Sequence, residues 1–288
     1  MTPQNTRLGV LLMVITTFIF ALQDGISRHL AGEYNTLMVV TVRYWFFALF
    51  VITVASRKAG GLRQAAATSQ PVLQITRGLI LTVEICIAIY GFTLLGLVES
   101  HAIFACYPLL VAALSGPVLG ETVGWRRWVA IAIGFVGVII ILRPGMGVFS
   151  PYALIPFISA LLFAVYGLLN RYAARRDSAA TSFFWTGVVG AVVLTPVGLA
   201  TWEPMTGPDW GWMTTLCITG ALGHFTLIKA YEQAEASAVQ PFAYLQLVFA
   251  SAVGVFVFGE VIELPVAVGA GIIVLAGLFT LWRERQNA

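Results

Sequence analysis

A few polar and ionisable side chains lie inside long apolar stretches of this 288-residue chain, where they are costly to bury. Glu84 is the clearest of them, about two helical turns beyond Arg77. A carboxylate at such a position must face a water-filled cavity, contact a partner or be protonated. Its role stays open between contact with a substrate amine, proton coupling and a structural hydrogen bond.

Gln23, Asp24 and His224 are further polar candidates in apolar stretches. Asp24 can reach Arg28 one turn later or Arg43 on the next stretch, so we interpret it as half of an ion pair at the outer end of its helix. We interpret His224 as a buried neutral histidine that holds helices together, with a proton carrier as the alternative. Gln23 suits cavity lining and interhelical hydrogen bonding equally well.

Two apolar stretches combine proline with tyrosine. Tyr107 directly precedes Pro108, and Pro241 lies three residues before Tyr244. Proline inside a helix frees a carbonyl group and bends the axis, and transporters use such bends for alternating access. An apolar cavity with a few hydrogen-bonding tips suits small amphipathic solutes. The predicted substrate-binding residues are Gln23, Glu84, Tyr107, Tyr166, His224, Tyr244 and Gln246.

Patterns typical of enzymes and metal sites are missing from the sequence. It has no His-Glu-x-x-His, no Gly-x-Ser-x-Gly and no phosphate-binding glycine loop. Cys86, Cys106 and Cys217 all lie in apolar stretches, at spacings that suit neither a metal site nor a disulfide framework. We therefore predict a protein that is not an enzyme and has no cofactor or metal. The alternative, an enzyme acting on lipid-linked substrates, would need acid, base or metal groups gathered at one membrane face.

The composition predicts an integral membrane protein. Hydrophobic residues make up 59% of the chain and charged residues only 10%, and the mean hydropathy is +0.90. A soluble domain would carry about a quarter charged residues. The net charge of +3 is too small to indicate a nucleic-acid partner. The expected partners are the lipid bilayer and a small-molecule substrate, with a monomer as the simplest assembly.

Ten stretches are long and apolar enough to cross a hydrocarbon core of about 30 Å as helices. The sequence therefore predicts an all-α membrane protein with ten transmembrane helices. The stretches are 8–27, 35–55, 73–93, 101–119, 127–143, 152–171, 181–200, 210–230, 238–258 and 265–282.

The positive charges orient these stretches. With a cytoplasmic N-terminus, the outer ends hold only Arg28, Arg43 and Arg143, and the other 13 of the 16 Lys and Arg residues lie at inner ends. Cytoplasmic ends of membrane helices are enriched in Lys and Arg, so we expect both termini in the cytoplasm of a bacterial inner-membrane protein. The first stretch could pass for a secretory signal, but no small-x-small cleavage site follows it, so we expect a retained helix.

The second half of the chain repeats features of the first. Phe20-Ala21 reappears as Phe163-Ala164, a shift of 143 positions (163 − 20), and Gly120-Glu121 reappears as Gly259-Glu260, a shift of 139 (259 − 120). Shifts close to half the chain length indicate a duplicated unit. Five helices per unit would place the two units in the membrane in opposite orientations, as in many secondary transporters. The predicted halves are residues 1–146 and 147–288.

These features resemble the EamA-type branch of the drug/metabolite transporter superfamily. The resemblance covers essentially the whole chain, and its most typical part runs from Ala236 through Gly259-Glu260 into a glycine-rich last helix. An inner-membrane amino-acid exporter of this branch is similar in length and layout. The resemblance implies a cavity between two inverted five-helix repeats and alternating access by rocking of helix bundles. Phosphate and nucleotide-sugar translocators of the superfamily would need basic residues at the midplane, and none is expected here.

We therefore predict a secondary transporter that exports small amphipathic metabolites, most consistently aromatic or neutral amino acids. The alternative is uptake of a vitamin or metabolite, or drug efflux, on the same scaffold. Energy coupling stays open between proton antiport and facilitated diffusion. If Glu84 and Tyr244 contact the substrate, Glu84→Gln and Tyr244→Ala should lower transport without loss of folded protein.

Overall fold

The computed structural model describes residues 5–57, 60–120, 124–142, 151–234 and 236–287, and its regular elements in these ranges are all helical. The predicted all-α fold is confirmed for this part of the chain. Apart from one 3-10 turn at Pro151–Ala153, the elements are α1 (Thr6–Glu33), α2 (Thr36–Ser56), α3 (Gly61–Ala66), α4 (Pro71–Phe104), α5 (Tyr107–Leu119), α6 (Trp125–Leu142), α7 (Leu154–Ala173), α8 (Ala179–Ala200), α9 (Gly207–Gln233), α10 (Ala236–Ala243), α11 (Leu245–Phe258) and α12 (Leu264–Asn287).

Several of these helices have the length and composition of membrane spans. α1, α2, α4, α7 and α8 are long and apolar enough to cross a bilayer, and shorter apolar helical segments lie in α5, α6, α11 and α12. α9 has 27 residues, which is ample length, but it includes polar residues such as Asp209 and Lys229. The protein is therefore a membrane protein with several apolar spans, and the count of ten spans stays a prediction.

The sequence ends one predicted span at residue 93 and begins the next at 101, and the structure has a kink at Gly96 within this interval of α4. Only Gly96 leaves the helical conformation, with φ at +81°. A single glycine with positive φ therefore makes the turn between the two spans, although Leu94, Leu97 and Val98 keep the segment apolar. The segment Leu97–Phe104 after the turn is called the short arm of α4 below.

The predicted stretches 101–119 and 238–258 are each interrupted rather than continuous. The first breaks at Ala105 and Cys106, between α4 and α5, and the second breaks at Tyr244, between α10 and α11. Interrupted helices near the middle of a span are a feature of many transporter binding sites. The two predicted proline stretches therefore do contain helix breaks.

α5 and α11 also end alike. Gly120 and Gly259 both terminate their helices in the left-handed conformation, with φ of +77° and +67°. Glycine adopts this conformation without the steric cost of a Cβ atom, which explains its place at both helix ends. Glu121 lies outside the described residues, whereas Glu260 is described and makes specific contacts.

Helices of the first half pack mainly against helices of the second. α1 packs against α9 and α11, α2 against α8, α4 against α7, and α6 against α12. The α6–α12 contact is close enough that a Cβ atom at Gly137 would lie 2.6 Å from the carbonyl oxygen of Gly269. The predicted boundary between residues 146 and 147 falls outside the described residues. A cavity that lies between these pairs is therefore lined by both halves of the chain.

Gly96→Ala should destabilise the protein more than Gly120→Ala. Both positions have positive φ, which costs a non-glycine residue roughly 1–2 kcal/mol. A Cβ atom at Gly96 would also lie 2.7 Å from Oε1 of Glu260, whereas nothing lies within 4 Å at Gly120. Thermal unfolding in detergent should show the larger fall in Tm for Gly96→Ala. Equal falls in the two variants would contradict a tight contact between Gly96 and Glu260.

Candidate functional site

A narrow cavity of about 40 Å³ lies between the two halves of the chain, and we call it the central cavity. A cavity of this size holds only one or a few water molecules, and sites for drug-sized ligands are about 300–1,000 Å³. It must therefore widen to admit a metabolite. Its lining residues are Phe20, Gln23, Asp24, Arg43, Glu84, Ile85, Ala88, Ile89, Phe92, His101, Phe104, Phe163, His224 and Gln246.

Four of the seven predicted substrate-binding residues line the central cavity. Gln23 comes from α1, Glu84 from α4, His224 from α9 and Gln246 from α11. Each is buried, although each is polar or ionisable. The four residues predicted from depth and polarity therefore meet in one cavity, although they are up to 223 positions apart in the chain (246 − 23).

The three predicted tyrosines are buried near the central cavity but do not belong to its lining. The hydroxyl group of Tyr166 accepts a hydrogen bond from Nη1 of Arg77 at 3.4 Å. Tyr107 packs edge-on against Phe163, with ring centroids 5.1 Å apart. Tyr244 lies at the break before α11, and its buried hydroxyl group has no hydrogen-bond partner. A substrate contact for these tyrosines stays a prediction that requires a wider cavity.

Arg43 is a cavity residue that the sequence interpretation placed elsewhere. It lies seven residues into α2, about 10 Å along the helix, and its side chain is only 4% exposed. Its Nη2 atom donates a hydrogen bond to Oε1 of Gln23 at 3.1 Å. The expectation of no basic residue at the midplane is therefore wrong. From the sequence, Arg43 was counted as a charge at the outer end of its helix and was therefore not predicted as a cavity residue. Its distance from the start of the helix would have indicated that position.

Glu84 supplies a carboxylate to the same cavity. Its side chain is buried, and Oε1 accepts a hydrogen bond from the hydroxyl group of Ser159 on α7 at 2.7 Å. Arg43 and Glu84 come from different helices, so the cavity presents a guanidinium group and a carboxyl group. Buried ionisable groups of this kind are costly, and in membrane proteins they mark functional sites.

Asp24 contacts His101 and Gln246, and the predicted ion pair with Arg28 or Arg43 is wrong. Its Oδ2 atom lies 3.1 Å from Nε2 of His101 and accepts a hydrogen bond from Nε2 of Gln246 at 3.2 Å. Arg28 pairs instead with Glu260. His101 is 77 positions away from Asp24 in the chain, so residue spacing could not have shown this contact.

His224 is buried, in line with the sequence interpretation, and it contacts other helices through its ring rather than through hydrogen bonds. Both ring nitrogens are buried without a hydrogen-bond partner. The ring packs against Phe20, with centroids 5.1 Å apart. An unsatisfied buried polar atom costs about 1–3 kcal/mol, so a substrate group that pairs with this imidazole would gain binding energy.

Aromatic rings form the remaining walls of the cavity. Phe92 stacks on the imidazole of His101, with centroids 5.0 Å apart and planes at 14°. Phe163 contacts Phe20 at 6.4 Å and Phe104 at 5.4 Å between centroids. Flat aromatic walls suit a planar heterocycle or a cationic group that lies on a ring face.

The EamA-like transporter family matches this chain twice, over residues 7–143 and 150–282. The chain belongs to this family. The EamA-like chain is 25% identical to the S-adenosylmethionine uptake transporter of Rickettsia prowazekii, with 97% of this chain and 94% of that protein covered. It is 28% identical to the riboflavin transporter of Vibrio cholerae, with 97% and 95% covered.

A solved crystal structure shares the fold of this EamA-like transporter. The TM-score is 0.67 at 16% sequence identity, and the match covers 98% of both chains. At this identity the likeness concerns the fold alone. The site must therefore be argued from the residues of this chain.

Arg77 organises one end of this EamA-like transporter, outside the central cavity. It lies six residues into α4 and is fully buried, whereas from the sequence it was counted among the positive charges at inner helix ends. Nη1 donates to Oδ1 of Asn170 at 2.6 Å, Nη2 donates to Oε1 of Gln74 at 2.8 Å, and Nη2 also contacts the carbonyl oxygen of Ser182. One guanidinium group thus joins α4, α7 and α8 through neutral acceptors.

Asp177 completes this network from the loop before α8. Its Oδ2 atom accepts hydrogen bonds from Nε2 of Gln74 at 2.8 Å and from the hydroxyl group of Thr68 at 2.5 Å. We call this the Asp177 end of the molecule. The opposite end, where Arg28 pairs with Glu260, is called the Glu260 end.

Proposed function

We propose that the protein is a secondary transporter for uptake of S-adenosylmethionine or a closely similar metabolite. The observation that carries this proposal is the joint presence of Arg43, Glu84 and aromatic walls in the central cavity. S-adenosylmethionine combines a carboxylate, an ammonium group, a sulfonium cation and a planar adenine ring. The cavity offers a complementary group for each of these parts.

The charged groups of the cavity match the methionine part of the molecule. Arg43 has one hydrogen bond to Gln23 and retains further donors for a substrate carboxylate, which guanidinium groups bind with two parallel bonds. Glu84 carries one hydrogen bond from Ser159 and can accept more from a substrate ammonium group. Two charges of opposite sign in a buried site are matched best by a zwitterion.

The aromatic groups match the nucleoside part. Phe104 and Phe163 supply ring faces for adenine and for the sulfonium cation, which interacts with a ring face as other cations do. His224 has two unpaired ring nitrogens that suit the polar edge of the base or a ribose hydroxyl group. Each substrate part would then contact a different helix.

The comparisons favour the importer alternative over the amino-acid export that the sequence resemblance implied. The related Rickettsia prowazekii protein is named for uptake of S-adenosylmethionine. The aromatic amino acids of the sequence prediction share its carboxylate and ammonium group but lack the sulfonium and the nucleoside. We therefore keep the prediction of a zwitterionic substrate, but we propose uptake of a larger zwitterion in place of amino-acid export.

Riboflavin is the second candidate substrate. Its flat tricyclic ring suits the phenylalanine walls, and Gln23 and Gln246 supply neutral hydrogen-bonding groups. The related Vibrio cholerae protein is named a riboflavin transporter. Riboflavin is uncharged, however, so it would leave Arg43 and Glu84 without a matching charge.

The architecture proposed for this transport is two inverted halves, residues 1–146 and 147–288, in the cytoplasmic membrane, with both termini in the cytoplasm. Support comes from the family match, which falls on two successive segments of similar length, and from helix breaks in both halves. Alternate opening at the Asp177 end and at the Glu260 end would expose the central cavity to each side in turn.

A counterflow experiment tests the proposed function. Purified protein is reconstituted into vesicles loaded with unlabelled substrate, and entry of external labelled S-adenosylmethionine, riboflavin or tryptophan is measured. We expect saturable exchange of S-adenosylmethionine above that of the other two solutes. Preferential exchange of riboflavin or tryptophan, or no exchange of any solute, would overturn the proposal.

A further inference from the structure

We propose that Asp24 and His101 form a proton-binding site that couples uptake to the proton gradient, so that proton and substrate move in the same direction. The inference rests on the proposed function, because it concerns how the same cavity is driven. Asp24 lies on α1 and His101 on the short arm of α4, and both line the central cavity.

The hydrogen bonds of His101 determine where its proton lies. Nδ1 is 3.0 Å from the carbonyl oxygen of Leu97, which can only accept, so Nδ1 must carry a hydrogen atom. Nε2 faces Oδ2 of Asp24 at 3.1 Å. A hydrogen bond there needs one proton between the two atoms, on the imidazole or on the carboxyl group. The contact therefore exists only when the pair holds this proton.

Loss of the proton would turn the contact from attractive to repulsive. The lone pair of Nε2 would then face a carboxylate oxygen, and Nε2 would lose its partner in a largely dry site, while Oδ2 would keep only the hydrogen bond from Gln246. His101 is 2% exposed and Asp24 is 8% exposed, so water cannot readily replace the bond without local opening. Release of the proton therefore breaks the contact, and α1 separates from the short arm of α4 in the same step.

The first residues of the short arm of α4 also contact α1, through Glu260. Oε1 and Oε2 of Glu260 accept hydrogen bonds from the backbone N–H groups of Leu97 at 2.9 Å and Val98 at 2.7 Å, and Glu260 pairs with Arg28 of α1. The Asp24–His101 contact is the second link between α1 and this arm. Its loss would leave α1 linked to the arm by the Arg28–Glu260 pair at the Glu260 end, so that α1 and the arm can separate at the cavity.

The ionisable groups around the pair leave room for a proton and a cationic substrate together. Arg43 of α2, Glu84 of α4 and His224 of α9 line the cavity with it, and α7 and α11 contribute Phe163 and Gln246. Glu84 supplies a separate carboxylate for the substrate cation, so the substrate need not displace the proton from Asp24. This arrangement favours movement of both in one direction over exchange of one for the other.

The proton balance of the cycle is simple. Water on one side donates the proton to the Asp24–His101 pair, and the pair releases it to water on the other side after the cavity reopens there. No oxidant, reductant or further reactant takes part.

The test measures net uptake and exchange separately in reconstituted vesicles. With the membrane potential clamped at zero, a pH gradient that is acid outside should drive accumulation of labelled S-adenosylmethionine above its external concentration. A pH-sensitive dye inside the wild-type vesicles should report proton entry with the substrate. Asp24→Asn keeps a donor for Nε2 of His101 and imitates the protonated pair, so its gradient-driven accumulation should fall far more than its substrate exchange.

The half-buried pair of His29 and Asp209, with Nε2 and Oδ1 3.5 Å apart, lies outside the central cavity and provides a matched control. Asp209→Asn should keep both exchange and gradient-driven accumulation. Wild-type vesicles that exchange substrate but show net uptake without proton entry, or with protons leaving as substrate enters, would overturn the inference and leave the proposed function intact. If Asp24→Asn fails to fold, the wild-type proton measurement alone decides. Absence of exchange in the wild type would instead remove the proposed function.

Discussion

Uptake of S-adenosylmethionine should fall by about 10- to 100-fold when Glu84 is replaced by glutamine. A hydrogen bond to a charged group contributes about 1.5–3 kcal/mol, and each 1.4 kcal/mol is a factor of about ten. Glutamine keeps the size of the side chain and an oxygen that can accept the hydrogen bond of Ser159. Initial rates in vesicles, normalised to the amount of folded protein, measure the effect.

Ser159→Ala is the matched control for this prediction. It removes the hydroxyl group that contacts Glu84 and leaves the carboxylate in the cavity. We expect a much smaller loss of uptake than in Glu84→Gln. Rates in Glu84→Gln that equal the wild-type rates would show that the carboxylate does not contact the substrate.

Arg77→Met should cause a large loss of stability, because each buried acceptor left without a hydrogen bond costs about 1–3 kcal/mol. The substitution keeps an apolar chain but removes the donor to Oδ1 of Asn170 and to Oε1 of Gln74. The carbonyl oxygen of Ser182 also loses a donor, although it still accepts from the hydroxyl group of Thr186. Asn170 already has a buried side-chain nitrogen without a partner, so little spare hydrogen bonding is available. Thermal unfolding in detergent and the yield of folded protein are the measurements.

Arg175→Met provides the comparison at an exposed arginine. Arg175 donates to the carbonyl oxygen of Leu119 at 3.0 Å and lies over the ring of Tyr172 at 5.0 Å. Interactions of exposed charges contribute about 0–1 kcal/mol, so its Tm should change little. A similar Tm shift in both variants would contradict the structural role assigned to Arg77.

The helical class and several details of the fold follow from local sequence features. Long apolar runs predict spans, and the repeated Gly-Glu pattern marks the left-handed helix ends at Gly120 and Gly259. A break between residues 93 and 101 was predicted, but its position at Gly96 was not, because hydropathy does not report a single positive φ. The helix breaks at Ala105-Cys106 and at Tyr244 were anticipated only as bends at the neighbouring prolines.

The candidate site was predictable as far as depth and polarity could indicate it. Gln23, Glu84, His224 and Gln246 were found in this way, because a polar side chain within an apolar run needs a cavity or a partner. The sequence did not predict which of these side chains contact each other, since Asp24 and His101 meet only through tertiary packing. Arg43 was not predicted as a cavity residue because it was counted among the charges at helix ends, without regard to its position along α2.

Binding of labelled S-adenosylmethionine to the purified protein is the most direct test of the central cavity as the transport site. The wild type should bind one molecule per chain, and Ala88→Phe, which adds a ring inside the cavity lining, should abolish binding while thermal unfolding shows a folded protein. Equal binding by the wild type and a folded Ala88→Phe variant would place the substrate elsewhere and contradict the account.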